Sequence, residues 1–366
     1  MGIGEPAMEG LVVNPHFWRD KRVLLTGHTG FKGSWLALWL QQLGANVVGM
    51  ALPAGTVPNL FQLASVAKGM DSFSCDVRDP DHVARVVRAA NPEIVIHMAA
   101  QALVRYGYQH PIETYATNVM GTVHLLDALR DCSDLRAVIS VTSDKCYDNK
   151  EWAWGYRENE PLGGHDPYSS SKAAAELVTS AFNTSYFAER KIGIASARAG
   201  NVVGGGDWAA DRLVPDIIQS FSAGKPVRIR RPLAVRPWQH VLEPLSGYLL
   251  LAEKMYGNPA DFAGAWNFGP QEADAQPVQW VVEQLAAAWG AGAQWEADNG
   301  SHPHEAHYLK LDISKAKSQL QWQPRWTLAR TLAYTVDWYK NCCQGGDVRQ
   351  LTLEQIAAYQ SEIALC

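Results

Sequence analysis

The run Arg22-Val23-Leu24-Leu25-Thr26 ends in the turn Gly27-His28-Thr29-Gly30-Phe31-Lys32-Gly33, and Ser34 to Leu43 continues as a helix stopped by Gly44. A strand, a glycine turn and a helix in immediate succession restrict the chain to few folds. Gly27 permits the tight turn after the strand and Gly30 lets a pyrophosphate approach the backbone. Gly33 lets the helix pack closely, with its N-terminal amides aimed at the anion. Spacing alone is weak, because thirty glycines in 366 residues give about 0.2 chance matches to Gly-x-x-Gly-x-x-Gly. The flanking strand and helix turn the match into a prediction of dinucleotide binding, with a bare structural turn as the competing reading.

The same rhythm continues through the first half. Strands are expected at Asn46–Leu52, Ser72–Cys75, Glu93–Met98, Ala137–Val141 and Ile192–Ala197. Between them, one helix opens at Asp79-Pro80 and stops at Asn91-Pro92, a long one runs through Asn118, Gly121 and Leu126, and one carries Tyr168. Nearly continuous apolar strands separated by helices predict an α/β fold, a doubly wound parallel Rossmann sheet covered on both faces. Beyond Arg198 the pattern loosens into Gly204-Gly205-Gly206-Asp207-Trp208 and Arg236-Pro237-Trp238-Gln239-His240. Helices are still expected at Pro244–Met255, Val278–Trp289 and Thr327–Lys340. The expected division is a loose arm at 1–16, a dinucleotide-binding Rossmann domain at 17–199, and a smaller C-terminal substrate-binding lobe at 200–366, some of whose segments pack back on the sheet. The tail from Gly345 to Cys366 offers no chemical clue.

Composition narrows the class. Hydrophobic residues at 47%, charged residues at 19% and a net charge of −5 are ordinary globular values, and they point to neither a nucleic-acid nor a membrane surface. No apolar run reaches the ~18 residues that span a bilayer. The six cysteines lack paired metal spacing and no secretory signal precedes them, so reduced thiols in a cytoplasmic protein are expected.

Two constellations carry chemistry. Tyr168 and Lys172 lie four apart on a helix beginning near Asp166-Pro167, which puts them on one face. An ammonium about 4 Å from the phenol contributes up to ~4 kcal/mol at intermediate dielectric, enough to bring the tyrosine towards neutrality as a base. An amphipathic helix with an exposed lysine is the alternative. Val141-Thr142-Ser143-Asp144-Lys145 sets a hydroxyl, a carboxylate and an amine side by side at a strand end. Together with the glycine turn, these describe a nicotinamide-dependent site with an extra acid and amine, which suits elimination of water better than simple oxidation. A plain ion pair between Asp144 and Lys145 is the competing reading.

The glycine turn, Asn118-Val119-Met120-Gly121-Thr122, Tyr168-x-x-x-Lys172 and Arg198-Ala199-Gly200-Asn201-Val202 resemble the extended short-chain dehydrogenases that act on nucleotide sugars. Thr142-Ser143-Asp144-Lys145-Cys146-Tyr147-Asp148-Asn149 and His302-Pro303-His304-Glu305-Ala306-His307-Tyr308 add a resemblance to the CDP-glucose 4,6-dehydratase branch, extending from about Phe17 to about Lys340. The resemblance implies NAD as cofactor, held by Gly27, Thr29, Gly30, Phe31, Lys32, Gly33, Asp76, Val77, Ala99 and Ala100 together with Tyr168 and Lys172. It implies CDP-glucose as substrate, a homodimer or homotetramer built on the helices through Asn118 and Tyr168, and a place in deoxysugar synthesis for lipopolysaccharide O-antigen. Related enzymes for dTDP-glucose carry a glutamate where Lys145 stands. By that likeness Asp144 is the acid for the C6 hydroxyl and Lys145 occupies the place of the C5 base, with Ser143 relaying the 4-hydroxyl proton to Tyr168. Positive charge from Lys172 and an oxidised nicotinamide is expected to favour the neutral amine at Lys145.

For the nucleotide diphosphate, Asn201, Arg212, Arg236 and His304 are the candidates, since forked donors suit paired phosphate oxygens. Arg228 and Arg230 share a face of a strand over 227–231, where a solvated charged edge competes. His302, His304 and His307 have no cysteine or carboxylate set to complete a metal site. One departure stands out: the ribose-binding acid expected about 20 residues past the glycine turn is missing, and Gly49-Met50-Ala51-Leu52-Pro53 stands there instead.

Overall fold

The computed structural model describes residues 13–298, 300 and 308–362. The six expected strands form as β1 (Arg22–Thr26), β2 (Asn46–Ala51), β3 (Asp71–Ser74), β4 (Ile94–His97), β5 (Ala137–Val141) and β6 (Gly193–Ala199). Two short pieces, β7 (Asn201–Val203) and β8 (Val227–Ile229), precede β9 (Val235–His240) and β10 (Gly264–Phe268). β11 (Ala275–Pro277) and β12 (Trp295–Ala297) complete the set. The main sheet runs β10-β6-β5-β4-β1-β2-β3, with every pairing parallel. Strand order reverses between β1 and β4, and the crevice beyond their C-terminal ends is where ligands bind in folds of this topology.

Alternation along each strand builds two cores. Val23, Leu25, Ile94, Ile96, Ile139 and Ala195 face one side, under the helices Phe31–Gln42 and Leu242–Gly257. Leu24, Val95, Val138 and Ile194 face the other, under Pro80–Ala90 and Gly121–Ala128. Each such aliphatic side chain taken fully out of water contributes about 1.5–3 kcal/mol, which is why burial decides the register here.

The seventh strand, β10, is absent from the sequence reading. Its run is interrupted by Asn267, a buried amide that donates to the Tyr156 and Asp312 carbonyls at 2.8 and 3.0 Å and accepts from the Tyr147 hydroxyl at 2.8 Å. A polar residue that is fully satisfied by tertiary contacts does not register in an apolar pattern. The long helix through Asn118 is also broken, into Pro111–Tyr115, a widened turn Ala116–Met120 and Gly121–Ala128. In the widened turn the Gly121 N–H reaches the Ala116 carbonyl five residues back. The tail folds as a helix, Val348–Ser361, whose buried Tyr359 donates to Glu243 at 2.7 Å. At the other end Val13 is buried and the Asn14 N–H donates to Glu253 at 2.9 Å. Among the described residues no helix is long and apolar enough to cross a membrane, and no cluster of His, Cys, Asp and Glu could hold a metal ion.

Candidate active site

A cavity of about 1110 Å³ opens over the C-terminal ends of β1, β4, β5 and β6. β7 and β9 wall its other side, paired in parallel through Asn201 and Trp238. Every cofactor residue expected from the sequence lines it: Gly27, Thr29, Gly30, Phe31, Lys32 and Gly33 on the glycine turn, then Asp76, Val77, Ala99 and Ala100. So do Ser143, Asp144, Lys145, Tyr168 and Lys172, and further out Asn201, Arg212 and Arg236. His304 lies outside the described residues, as do His302 and His307.

The turn is held by packing from two sides. Gly27 has φ +75°, and a Cβ there would lie 2.7 Å from the Ala99 nitrogen; a Cβ on Gly33 would lie 2.1 Å from the Gly27 carbonyl. Both glycines are therefore required by close backbone approach. Thr26 ties the exits of β1 and β4 together, its hydroxyl accepting from the Met98 and Ala99 amides at 3.0 Å each. Asn118, on the widened turn, accepts from the Gln101 N–H at 2.8 Å and donates to the Gln101 carbonyl and the Ser171 hydroxyl at 3.0 and 2.9 Å. One amide thus locks the loop after β4 against the helix Pro167–Phe182. Asp76 is held below the usual carboxylate range by its hydrogen bonds from Arg78, with the closest contact 2.6 Å. At the place of the missing ribose acid the wall is Ala51, Leu52 and Pro53, and the Thr29 hydroxyl donates to the Leu52 carbonyl at 2.8 Å.

At the chemical centre, Ser143 Oγ donates to Asp144 Oδ1 at 3.0 Å, accepts from the Lys145 N–H at 3.2 Å and lies near the Tyr168 phenol. Asp144 is buried, and burial raises its carboxyl above the usual range, although the Lys145 charge, the Ser143 bond and Arg236 pull the other way. A neutral carboxylic acid in contact with a hydroxyl can donate a proton. The half-buried Lys145 places its ammonium 6.0 Å from the centre of the Tyr168 ring.

The expectation for Tyr168 and Lys172 requires correction. Lys172 does share the phenol's helix face and cavity, but its ammonium donates to the Val141 carbonyl at 3.1 Å. Burial pushes the phenol up to about 12, with Asp144 adding to the rise and Ser143 and Arg212 opposing it. Burial also brings Lys172 down to about 8, against the nearby Glu176 carboxylate. Desolvation of both groups outweighs the attraction that spacing alone suggests, so burial favours the protonated phenol. A third amine, Lys32, is brought down to about 7 by burial, then by the charges of Lys172 and Arg212.

Sequence reasoning passed over the device behind this centre. Arg198, on β6, meets Glu176, from the Tyr168 helix, at 2.8 Å, and both are buried. Glu176 accepts from the Thr142 hydroxyl and, at 2.5 Å, from Ser196, while Arg198 donates to the Tyr147 hydroxyl at 2.7 Å. The segment 143–146 is thus gripped at both flanks by one ion pair, which also fixes it relative to Tyr168 and Lys172. The available signal was the arginine at the end of an apolar strand, since a buried charge demands a partner.

Among the expected substrate residues, Arg212 donates to the buried Asp207 at 2.8 Å and Arg236 to the Val235 carbonyl at 2.9 Å. Arg228 pairs with Glu296 at 2.7 Å on a largely exposed edge, as the solvated reading expected, whereas Arg230 turns towards Asp211 and Asp216.

The chain is similar to known proteins in sequence and in fold. The chain is 53% identical over 355 residues to the CDP-glucose 4,6-dehydratase of Salmonella typhimurium, covering 96% of this chain and 99% of that one. The UDP-glucose 4-epimerase of Thermotoga maritima, solved with UDP-glucose, superposes with a TM-score of 0.77 at 22% identity, covering 88% of this chain and 99% of that one. That of Thermus thermophilus, in complex with NAD, gives 0.76 at 25%, covering 87% and 98%. The family model described as GDP-mannose 4,6 dehydratase matches residues 24–335, and with that span and that identity the chain belongs to the GDP-mannose 4,6 dehydratase family.

Proposed function

We propose that this protein is an NAD-dependent CDP-glucose 4,6-dehydratase, converting CDP-D-glucose to CDP-4-dehydro-6-deoxy-D-glucose by loss of water. The observation that carries the reading is Asp144, a buried acid whose proton is favoured, set between a serine hydroxyl and a lysine beside a reactive tyrosine. An epimerase or reductase would need the tyrosine but no acid for a departing hydroxyl. The 53% identity to a CDP-glucose enzyme supports the choice of nucleotide.

The glycine turn fits a dinucleotide. The helix Phe31–Gln42 has no side-chain cap, and a Cβ on Gly30 would meet nothing closer than the Gly27 carbonyl at 3.4 Å, so its N-terminal amides are open to a pyrophosphate. Bound there, NAD⁺ supplies reversible oxidation at C4 of the hexose, with the electron pair returned at C6. Tyr168 takes the 4-hydroxyl proton with Ser143 as relay, and Arg212 is a cation whose charge favours the phenolate. The 4-ketone acidifies C5; Lys145 removes that proton and Asp144 protonates the departing 6-hydroxyl, and Lys145 gives a proton back to C5 as the electron pair returns at C6. Asn201, Arg212 and Arg236 hold the diphosphate, with His304 as a further contact.

Incubation with CDP-glucose and NAD⁺ is expected to give the alkaline chromophore of a 4-keto-6-deoxy sugar. Conversion of CDP-glucose without that product would favour an epimerase or reductase, and conversion only of another nucleotide's glucose would change the assignment of the base. Lys145→Ala is expected to slow product release about 10²- to 10⁴-fold, the usual worth of a positioned proton acceptor. An undiminished rate in that variant would remove Lys145 from the role.

The exposed Ile112, Tyr115, Met120 and Leu177, on the helices that flank Asn118 and carry Tyr168, support a homodimer or homotetramer through that face. The setting we favour is cytoplasmic synthesis of deoxysugars for lipopolysaccharide O-antigen.

A further inference from the structure

Away from the chemical centre, three segments meet across the cavity. Arg105 comes from the helix Val104–Gln109, Asp211 from the loop before the helix Leu213–Ser222, and Arg230 from just past β8; all three line the cavity. Arg105 Nη1 lies 3.2 Å from Asp211 Oδ1, and Arg230 Nη2 lies 3.6 Å from the same oxygen and 4.0 Å from Asp216 Oδ2. Arg105 Nη2 is buried without a hydrogen-bond partner among the described residues. Asp211 itself sits at φ +60°, a left-handed conformation that non-glycine residues adopt at some cost.

Two guanidiniums therefore converge on one carboxylate oxygen, and Arg105 keeps a donor unmet. A guanidinium fork is matched by paired oxygens on one acceptor, which a phosphate group offers to both arginines at once. We propose that Asp211 is a placeholder anion: it neutralises Arg105 and Arg230 in the free cavity and is displaced when a phosphate group of a nucleoside diphosphate enters between them. Arg105 then becomes a substrate-binding residue contributed by the first half of the chain, opposite Arg212 and Arg236 from the second. The inference rests on the nucleotide-sugar reading and extends it to residues that reading leaves out. A clasp that persists with the nucleotide bound would use the same contacts, but the nucleotide would then bind more weakly when Asp211 loses its charge.

CDP binding by calorimetry separates the two. Partly exposed ion pairs are individually weak, so Asp211→Asn is expected to bind CDP roughly three- to tenfold tighter than the parent, and Arg105→Gln to bind it more weakly by a similar factor. In an Arg105→Gln background, Asp211→Asn should tighten binding no more than Asp216→Asn, which removes a nearby negative charge without releasing Arg105. Asp211→Asn that binds CDP equally or less well, with the same melting temperature as the parent, overturns the placeholder. So does tightening that persists undiminished when Arg105 is gone. Parent protein that fails to bind CDP at all sinks the nucleotide-sugar reading and the placeholder with it.

Discussion

Asp144→Asn is expected to lower turnover about 10²- to 10⁴-fold, the range for loss of a general acid, while substrate affinity stays within a few-fold. The substitution keeps the shape of the side chain and leaves an acceptor for the Ser143 hydroxyl, now 3.0 Å away, but removes the proton that the departing 6-hydroxyl needs. The parent's pH profile should carry the same information. Burial favours the neutral acid, so Asp144 keeps its proton above the usual carboxylate range, and activity falls as pH rises through that raised value. In Asp144→Asn that part of the alkaline limb should vanish. A loss smaller than tenfold, with the limb unchanged, would mean that another group supplies the proton.

Arg198→Met carries the largest expected cost in stability, about 3–5 kcal/mol, because it takes from the buried Glu176 carboxylate the cation it contacts at 2.8 Å, leaving it the Thr142 and Ser196 hydroxyls and only the more distant charge of Lys172. Replacing both partners, Arg198→Met with Glu176→Leu, should recover much of that loss, since an apolar pair of similar volume avoids the unpaired charge. Urea unfolding of the single and double variants measures both. The double variant should still turn over slowly despite its recovered stability, because Thr142 and Tyr147 no longer share one anchor across the segment between them. A single variant within 1 kcal/mol of the parent would show that the pair does not hold the centre.

Most of the sheet was legible because buried parallel strands announce themselves as short apolar runs, and β1 to β6 begin and end within two residues or so of where that pattern puts them. β10 escaped because Asn267 breaks its run, and its reason for being there lies in Tyr147, Tyr156 and Asp312, far away in sequence. The cavity residues were legible as motifs, since strand ends and helix starts fix where side chains converge. Their charge states were not. Four-residue spacing brings Lys172 and Tyr168 to one helix face, but whether the ammonium meets the phenol or the Val141 carbonyl depends on a strand that local sequence does not position. The Glu176 and Arg198 pair was hidden for the same reason, although a lone arginine ending an apolar strand was there to be questioned.

Transient oxidation at C4 is tested most directly by isotope. CDP-glucose carrying deuterium at C4, mixed with unlabelled substrate and converted in ordinary water, should yield product with the deuterium on C6 of the same sugar that began with it. Deuterium lost to solvent, retained at C4, or scattered onto sugars that started unlabelled would contradict an electron pair lent and returned within one closed site.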